Sequence, residues 1–523
     1  MSDPLPCFDV REEPWVPVRI GGRPALVGLR RLFLQAHEID DLALPVPPAA
    51  SALLRVLTAI AARVTGLDDS DLDADAWLGE RDDALRRPEG FDPDAVNAYF
   101  DRPDLRSRFD LFSPTRPFLQ DPLLAEQCEK RAGVNKLTSG RAAGNNHSWW
   151  GPFTDTEPRP LPAGEAVWFL LVQHFYGPSG RCSARTVDGS ALANSTAGPL
   201  RKTISFHPLG RNLHESLLAS IPRSTDAQEA DDICPWEEPD APEPRHALAP
   251  LTWPGRLLTG RSRHAILLVP SADGRTVTDA YVTWATRHPA LSAVDPYVVM
   301  NTVKTGKAAG SRYPREANAA RALWRDLDAL LLKSDETSGF HRPTIFADLN
   351  DLPEDVRATL RVRAYGFDQD GQQVDRAWFT SVTPPLLRWT QERNPAMAYR
   401  ISACRKAAEE VADKLGFAAA VAWAEATSPP PAEGRQVKID TKNPGPWRSR
   451  AHNAYWPLAE LTFWRLLSEA ADQEPYLAFV RDAERALRAA VGGAERQQKP
   501  ARAVSHALGI LRTVLPSHAS AAN

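Results

Sequence analysis

The chain has 523 residues, enough for two to four domains, and its 43% hydrophobic and 24% charged residues are an ordinary globular composition. Its net charge of −4 excludes a generally basic nucleic-acid-binding protein, so contacts with nucleic acid would need local patches or partner subunits. The five cysteines form no CxxC pair, which argues against a disulfide framework or a cysteine-rich zinc site and favours a reducing cytoplasm.

Short elements with irregular connections are expected over most of the chain, because it contains 46 prolines. Apolar residues recur at helical spacing from Ser51 to Thr65 and predict an amphipathic helix. A second apolar run, residues 166–176, ends at Gly177. The other expected elements are strands within 8–20, 265–270 and 276–286, and helices at 29–36, 319–332 and 353–364.

An acidic segment interrupts the middle of the chain. Residues 226–243 hold eight acids and no lysine or arginine, and several prolines break the segment further. This composition predicts a mobile acidic loop, a solvated insertion at the surface.

The amino-acid composition of the chain changes after about Asp375. Long stretches rich in Ala, Leu, Arg and Glu cover 396–427, 455–491 and 501–515, and Pro- or Gly-rich breaks separate them. With a segment near 384–392 they predict an up-down bundle of about four helices. The expected fold class is α+β: a large irregular mixed α/β N-terminal domain (1–375) followed by a C-terminal four-helix bundle (376–523).

Sequence motifs for chemistry are missing. The chain has no Walker A sequence, no GxSxG elbow and no HExxH, and its 12 histidines are scattered. We therefore expect no catalytic site, no cofactor and no metal. The sequence shows no run of about 18 apolar residues, so no membrane span is expected. The alternative is a cytoplasmic enzyme with an unrecognised active site on an α/β domain.

Three basic segments contain no acid: residues 199–214, 256–264 and 296–315. A charge run is usually a solvated face. Several such segments in a net-acidic chain nevertheless favour phosphate contacts modestly.

A glycine-rich loop, residues 136–153, combines cations, amides and paired aromatics. Its polar and aromatic residues suit phosphate contact plus base stacking. The alternative is a surface loop whose two tryptophans enter the core. The candidate contact residues are Asn145, Asn146, His147, Trp149 and Trp150.

Several short segments together resemble one known family. They are Phe8–Val18, His37–Leu44, Phe109–Phe112, Arg116–Gln120, Gly198–Arg201, Gly210–Leu213, Trp324–Leu327 and the closing helix 501–515. They follow the order seen in the CasA family, the large subunits of Cascade, the type I-E CRISPR surveillance complex. The resemblance covers nearly the whole chain.

The resemblance implies a non-catalytic cytoplasmic subunit of a ribonucleoprotein. CasA proteins recognise the protospacer-adjacent motif (PAM) of invading double-stranded DNA, help to open the duplex for R-loop formation, and recruit a helicase–nuclease. The implied partners are guide RNA (crRNA), target DNA, the other Cascade subunits and that helicase–nuclease, with no membrane.

The resemblance also implies roles for residues. The loop 145–150 resembles the family loop that touches the guide RNA 5′ handle and a neighbouring subunit. The stretch with Gly177, Ser179, Gly180 and Arg181 resembles the glycine-rich loop at the PAM minor groove, with fewer glycines. Arg287 is the nearest match to the family's minor-groove lysine.

Asp370-Gly371-Gln372 resembles the family's wedge hairpin, which enters the duplex beside the PAM. Gln372 would be the wedge residue, with Gln369 and Gln373 as rivals. Some members have a cysteine cluster in the middle region. This chain has only Cys234 there, so no metal is expected.

Overall fold

The structure, a computed structural model, describes residues 5–143, 151–224, 231–241, 244, 251–285, 295–334, 339–371, 374–429, 437–468 and 473–515. These residues divide into two compact units. The first unit consists of Met1–Leu323 and Lys333–Arg388, and the second of Trp324–Leu332 and Trp389–Asn523. The first mixes helices and strands and the second is helical, so the predicted α+β class is confirmed.

Sixteen α-helices and fourteen strands form the described part of the chain. The strands are β1 (Val16–Ile20), β2 (Arg23–Val27), β3 (Ile39–Leu42), β4 (Leu161–Pro162), β5 (Gly180–Val187), β6 (Ser190–Ser195), β7 (Ile204–Leu209), β8 (His264–Pro270), β9 (Thr276–Trp284), β10 (Met300–Thr302), β11 (Arg312–Pro314), β12 (Phe340–His341), β13 (Arg361–Asp370) and β14 (Val374–Val382). The helices are α1 (Leu29–Leu34), α2 (Pro47–Thr65), α3 (Ala74–Leu85), α4 (Pro93–Phe100), α5 (Leu124–Gln127), α6 (Val134–Leu137), α7 (Ala163–Tyr176), α8 (Leu213–Ser220), α9 (Gly255–Thr259), α10 (Leu327–Leu331), α11 (Ile345–Asp348), α12 (Glu354–Thr359), α13 (Pro395–Thr427), α14 (Pro446–Ser468), α15 (Pro475–Val491) and α16 (Gln498–Arg512).

The strands of the first unit form small antiparallel sheets rather than one large sheet. The strand orders are β2-β1-β3, β11-β10-β12, β14-β13-β7 and β4-β9-β8, together with the ribbon β5-β6. Because no sheet exceeds three strands among the described residues, helices supply much of the packing between the sheets.

Helix α2 is the central core helix of the first unit. The predicted helix is present, but it is buried on nearly all sides. The solvent-exposed face expected of an amphipathic helix is therefore wrong, because this face also packs against protein. The helix is long and apolar enough to cross a membrane by length and composition, but 89% of the relevant window is buried inside the fold. The helix ends at Gly66, whose φ of 72° is the left-handed conformation that glycine adopts without strain.

One ion pair lies inside this core. Arg55 of α2 donates from Nη1 and Nη2 to the two carboxylate oxygens of Asp295, at 3.0 and 3.1 Å. Their side chains are 1% and 4% exposed, and the guanidinium lies 5.0 Å from the centre of the Tyr297 ring. The pair therefore fixes the segment after residue 294 against α2.

The described part of the acidic segment, residues 231–241, is not a solvated loop, which corrects the prediction. Asp232 and Glu237 are nearly buried and both pair with Arg63 of α2 at 2.9 Å. Cys234 and Trp236 are buried between them. The composition was misleading because the matching cations lie elsewhere in the sequence, so the acids are neutralised only after folding.

Several boundaries of helices and domains differ from the predicted ones. The expected helix at 319–332 is reduced to a 3-10 turn and α10. The expected helix at 353–364 ends at Thr359, where β13 follows and pairs with β7 and β14. The boundary expected between residues 375 and 376 falls inside β14, and the first unit continues to Arg388.

The second unit is built on four long helices, α13 to α16, so the expected helical C-terminal region is confirmed. Its helices differ from the expected ones: the stretch 455–491 belongs to two helices, α14 and α15, and the segment near 384–392 holds only the 3-10 turn Leu387–Trp389. The earlier segment Trp324–Leu332 belongs to it as well. The Trp324 ring packs on Phe463 of α14, with ring centroids 4.6 Å apart, and Arg325 pairs with Glu409 of α13 at 2.7 Å. These contacts join residues more than 80 positions apart in sequence, which no local pattern could predict.

The Arg55–Asp295 pair leads to a prediction about stability. Asp295→Ala should lower the free energy of unfolding by about 3–5 kcal/mol, because it leaves a buried guanidinium without a counter-ion. Urea denaturation of the full chain measures this. The control Asp104→Ala removes a surface pair with Arg102 and should cost less than about 1 kcal/mol. Equal losses in the two variants would contradict the prediction.

Candidate nucleic-acid interface

The segment 177–181, called the Gly177 loop below, begins where α7 ends. Gly177 is buried, and a Cβ there would lie 2.5 Å from the Gln173 carbonyl oxygen and 2.7 Å from Nδ1 of His264. Only glycine fits this approach without a shift of the neighbours. The nitrogen of Gly198 donates to the Gly177 carbonyl at 2.8 Å, so a neighbouring strand-like segment supports the loop.

The outer half of the Gly177 loop opens toward solvent. Ser179 is half-buried, whereas Gly180 and Arg181 are exposed at the start of β5, where they pair with the end of β6. Gly180 has a φ of +123°, a conformation that side chains rarely adopt. Arg181 makes no ion pair with any described residue. The structure thus presents a free cation beside an exposed glycine.

Two polar side chains hold the loop from below through the carbonyl of Pro178. Nε2 of His264 donates to this oxygen at 3.0 Å, and the Ser195 hydroxyl donates to it at 3.1 Å. His264 is 2% exposed. Burial lowers the pKa of its imidazole to about 4, so the ring is neutral at neutral pH.

The second candidate element is the hairpin β13–β14, whose turn includes Gly371 with a φ of +58°. A hairpin is found where the family resemblance implies one. Asp370 and Arg376 pair across it at 2.6 Å, with both side chains more than half exposed. The Gln369 amide donates to Asp375 at 3.0 Å. This hydrogen bond occupies the amide of one of the two rival wedge residues.

The fold brings the Gly177 loop and the hairpin together, although about 190 residues separate them in sequence. The rings of Tyr176 and Phe367 are stacked, with centroids 5.5 Å apart and an interplanar angle of 15°. Arg201 lies beside this stack and bonds both elements: it donates to the Tyr176 carbonyl and to the Asp375 carboxylate, each at 2.5 Å.

Of the three basic acid-free segments, only 296–315 presents an exposed cationic surface. It forms the hairpin β10–β11, in which Lys304, Lys307 and Arg312 are exposed and make no ion pair with the described residues. Tyr313 adds an aromatic ring that is 44% exposed. Cations beside an exposed aromatic side chain suit contact with a nucleic-acid backbone.

The other two basic segments are used within the fold. In 199–214, Arg201 pairs with Asp375 and Arg211 with Glu215. In 256–264, Arg256 pairs with Glu238, and His264 supports Pro178. Their acid-free composition therefore reflects acidic partners that lie outside each segment, not a surface for phosphates.

Other predicted contact residues lie outside the described part of the chain. They are Asn145, Asn146, His147, Trp149, Trp150, Arg287, Gln372 and Gln373.

A cavity of about 450 Å³ in the first unit bears on the enzyme alternative. Its lining includes His174, His264 and Asp121. Both nitrogens of His174 are bonded, at 2.7 Å, to Ser262 and to the Leu119 carbonyl, and Asp121 pairs with Arg185 at 2.7 Å. His174 and Asp121 are thus bonded to other groups of the fold. Within the described residues, no group of three or more His, Cys, Asp or Glu side chains could hold a metal ion.

The model of the family described as CRISPR-associated protein Cse1 matches residues 9–497 of this chain. The chain belongs to the Cse1 family. The resemblance to CasA is thereby confirmed, since a curated relative is named CasA/Cse1, from Thermus thermophilus. That relative is 29% identical over 373 residues, which cover 69% of this chain and 68% of the relative.

Solved structures of the family share the fold. A chain in a structure titled "CRISPR RNA-guided surveillance complex" is 40% identical, with a TM-score of 0.85, covering 97% of this chain and all of that one. A chain in a second structure, titled "CRISPR RNA-guided surveillance complex, pre-nicking", is 39% identical, with a TM-score of 0.77, covering 98% of this chain and all of that one.

Sequence reasoning missed three residues that shape the Cse1 candidate interface: His264, Arg201 and Asp375. Arg201 and His264 lie in basic segments whose composition favoured phosphate contacts only modestly, and neither was expected to hold the loop or the hairpin in place. The guanidinium of Arg201 lies 4.8 Å from the centre of the Phe367 ring, and its partners come from two other parts of the chain. Only the tertiary structure shows this position.

The buried histidines predict a pH dependence. Burial lowers the pKa of His174 and His264 from 6.5 to about 4, so between these values the unfolded chain binds more protons than the folded one. Stability is therefore full above pH 6.5 and should fall below it, by up to about 1.4 kcal/mol per pH unit per histidine. Hydrogen exchange of β5 and β8 at several pH values measures this.

His264→Gln should make that dependence shallower, because the amide can still donate to Pro178 but does not titrate in this range, while the contribution of His174 remains. A His264→Gln curve parallel to the unmodified protein would show that this histidine is not responsible.

Proposed function

We propose that this chain is the large, non-catalytic subunit of a type I-E CRISPR surveillance complex. In that complex it recognises the PAM of double-stranded DNA, helps to open the duplex for R-loop formation and recruits the helicase–nuclease. Its partners are guide RNA, target DNA and the other Cascade subunits, and it works in the cytoplasm. The observation that carries the proposal is the 40% identical chain from an RNA-guided surveillance complex, matched over 97% of this chain.

The Gly177 loop and the β13–β14 hairpin support the DNA-recognition part of the proposal. Gly180 and Arg181 are exposed, and a narrow backbone with one cation suits a minor groove. Gln372 follows Gly371 directly in the sequence. Arg287 is the remaining residue of the proposed set of DNA contacts. Since the amide of Gln369 is bonded to Asp375, the geometry favours Gln372 or Gln373 as the wedge.

The cationic hairpin β10–β11 supplies a second, sequence-independent contact. Lys304, Lys307 and Arg312 would lie along the phosphates of duplex DNA and would not read bases. A chain with a net charge of −4 gains little attraction to DNA overall, so local cations of this kind would set the initial encounter. The loop 145–150 is the proposed contact to the guide RNA handle and to a neighbouring subunit.

The proposal predicts how binding depends on assembly. The purified chain should bind DNA weakly and with little sequence preference, whereas the complex assembled with guide RNA should discriminate PAM from non-PAM duplex. Affinity purification from the native host, followed by binding measurements at physiological salt, tests both parts. Absence of RNA and of other subunits from the purified material, or strong PAM-selective binding by the chain alone, would contradict it.

A second prediction concerns the wedge. Gln372→Ala should slow R-loop formation more on linear DNA than on negatively supercoiled DNA, because unstacking a base step costs a few kcal/mol and supercoiling supplies part of it. Time-resolved R-loop formation on the two templates measures the difference. Gln369→Ala is the matched control and should have the smaller effect. Equal slowing of both templates by Gln372→Ala would argue against a wedge at this position.

A further inference from the structure

We infer that Arg201 is a positioning residue that couples the Gly177 loop to the β13–β14 hairpin, so that docking of the loop sets the pose of the hairpin. The inference rests on the proposed function and adds to it a link between motif recognition and duplex opening. Arg201 itself would touch no DNA.

The contacts of Arg201 are suited to such a link. Nη1 donates to the carbonyl of Tyr176, the residue directly before the Gly177 loop. Nη2 donates to Asp375, the second residue of β14. The side chain is 7% exposed, and the guanidinium lies over the Phe367 ring of β13. One planar group thus hydrogen-bonds the residue before the loop and strand β14, and contacts an aromatic ring of β13.

The backbone around Arg201 strengthens one end of this link. The nitrogen of Leu200 donates to Phe175 at 2.9 Å, and that of Gly198 donates to Gly177 at 2.8 Å. Residues 198–200 therefore run alongside the end of α7 and carry Arg201 with them. On this side the link is made of backbone bonds and a buried side chain, which a single substitution on the surface would not loosen.

The other end of the link is weaker and can be tested. Asp375 is 44% exposed and also accepts from the Gln369 amide of the opposite strand, at 3.0 Å. Charge-assisted hydrogen bonds of this kind are short and directional. Because Asp375 is partly exposed, the Arg201–Asp375 bond is the contact between the loop and the hairpin that a single substitution on β14 can remove.

The experiment uses the assembled complex with guide RNA and compares two single substitutions on the same hairpin. Asp375→Ala removes the bond to Arg201. Asp370→Ala removes the exposed pair with Arg376 and leaves the link to Arg201 intact, so it controls for the loss of one carboxylate near the tip. Opening of the first base pairs beside the PAM is followed by 2-aminopurine fluorescence, and affinity for a PAM duplex too short to open is measured separately.

We expect Asp375→Ala to slow opening of linear DNA by about tenfold, the low end for loss of one hydrogen bond to a charged group, while PAM-duplex affinity stays within about twofold. Negative supercoiling should reduce the defect. Asp375→Glu should recover most of the rate, since it restores the carboxylate. Asp370→Ala should stay close to the unmodified complex.

Three outcomes would overturn the inference. Asp375→Ala and Asp370→Ala could be equally slow, which would indicate only a charge effect at the tip. Asp375→Ala could weaken PAM affinity and opening together, which would indicate a damaged loop. Asp375→Ala could open DNA at the unmodified rate. If the unmodified complex itself neither selects the PAM nor opens DNA, the proposed function fails, and the failure is visible before any variant is compared.

Discussion

The burial of helix α2 is the constraint on which the first unit depends. Small and apolar residues pack on nearly all of its faces, and neighbouring helices α7, α8 and α9 and strands β13 and β14 are in contact with it. Two of its polar side chains are bonded inside the fold: Ser51 accepts from the Tyr176 hydroxyl at 3.0 Å, and Arg55 pairs with Asp295. Because so many elements pack against this buried helix, it restricts the positions at which the neighbouring helices and strands begin and end.

That constraint reaches the candidate interface directly. Helix α7 ends at Tyr176, and the Gly177 loop follows directly. Strands β13 and β14 are joined by the hairpin turn at Gly371. Since α2 contacts both α7 and this sheet, the two candidate DNA contacts share one rigid support. Exposed loop tips can then vary while their roots stay fixed, an arrangement common where binding residues sit on loops.

Electrostatics in this protein are mostly internal. The buried or half-buried arginines Arg55, Arg63, Arg185 and Arg201 all bond carboxylates from distant parts of the chain. Exposed cations without a described ion-pair partner, such as Arg181 and Lys307, occur on loops and hairpins and also on strands and helices. A net-acidic chain can therefore present small cationic patches, because many of its acids pair with arginines and leave other cations unpaired.

The sequence by itself determined the class of fold and the helical C-terminal region from spacing and composition, and ordered short segments carried the family resemblance, which in turn implied the hairpin at Gly371. It could not determine which of its charged residues are buried and paired. The acidic segment 231–241 and the basic segment 199–214 look like solvated runs, yet each holds charges that pair with residues more than 100 positions away, such as Arg63 and Asp375. The tertiary structure alone decided which cations stay exposed and placed Arg201 between the loop and the hairpin, because pairing of buried charges depends on contacts that close only when the chain folds.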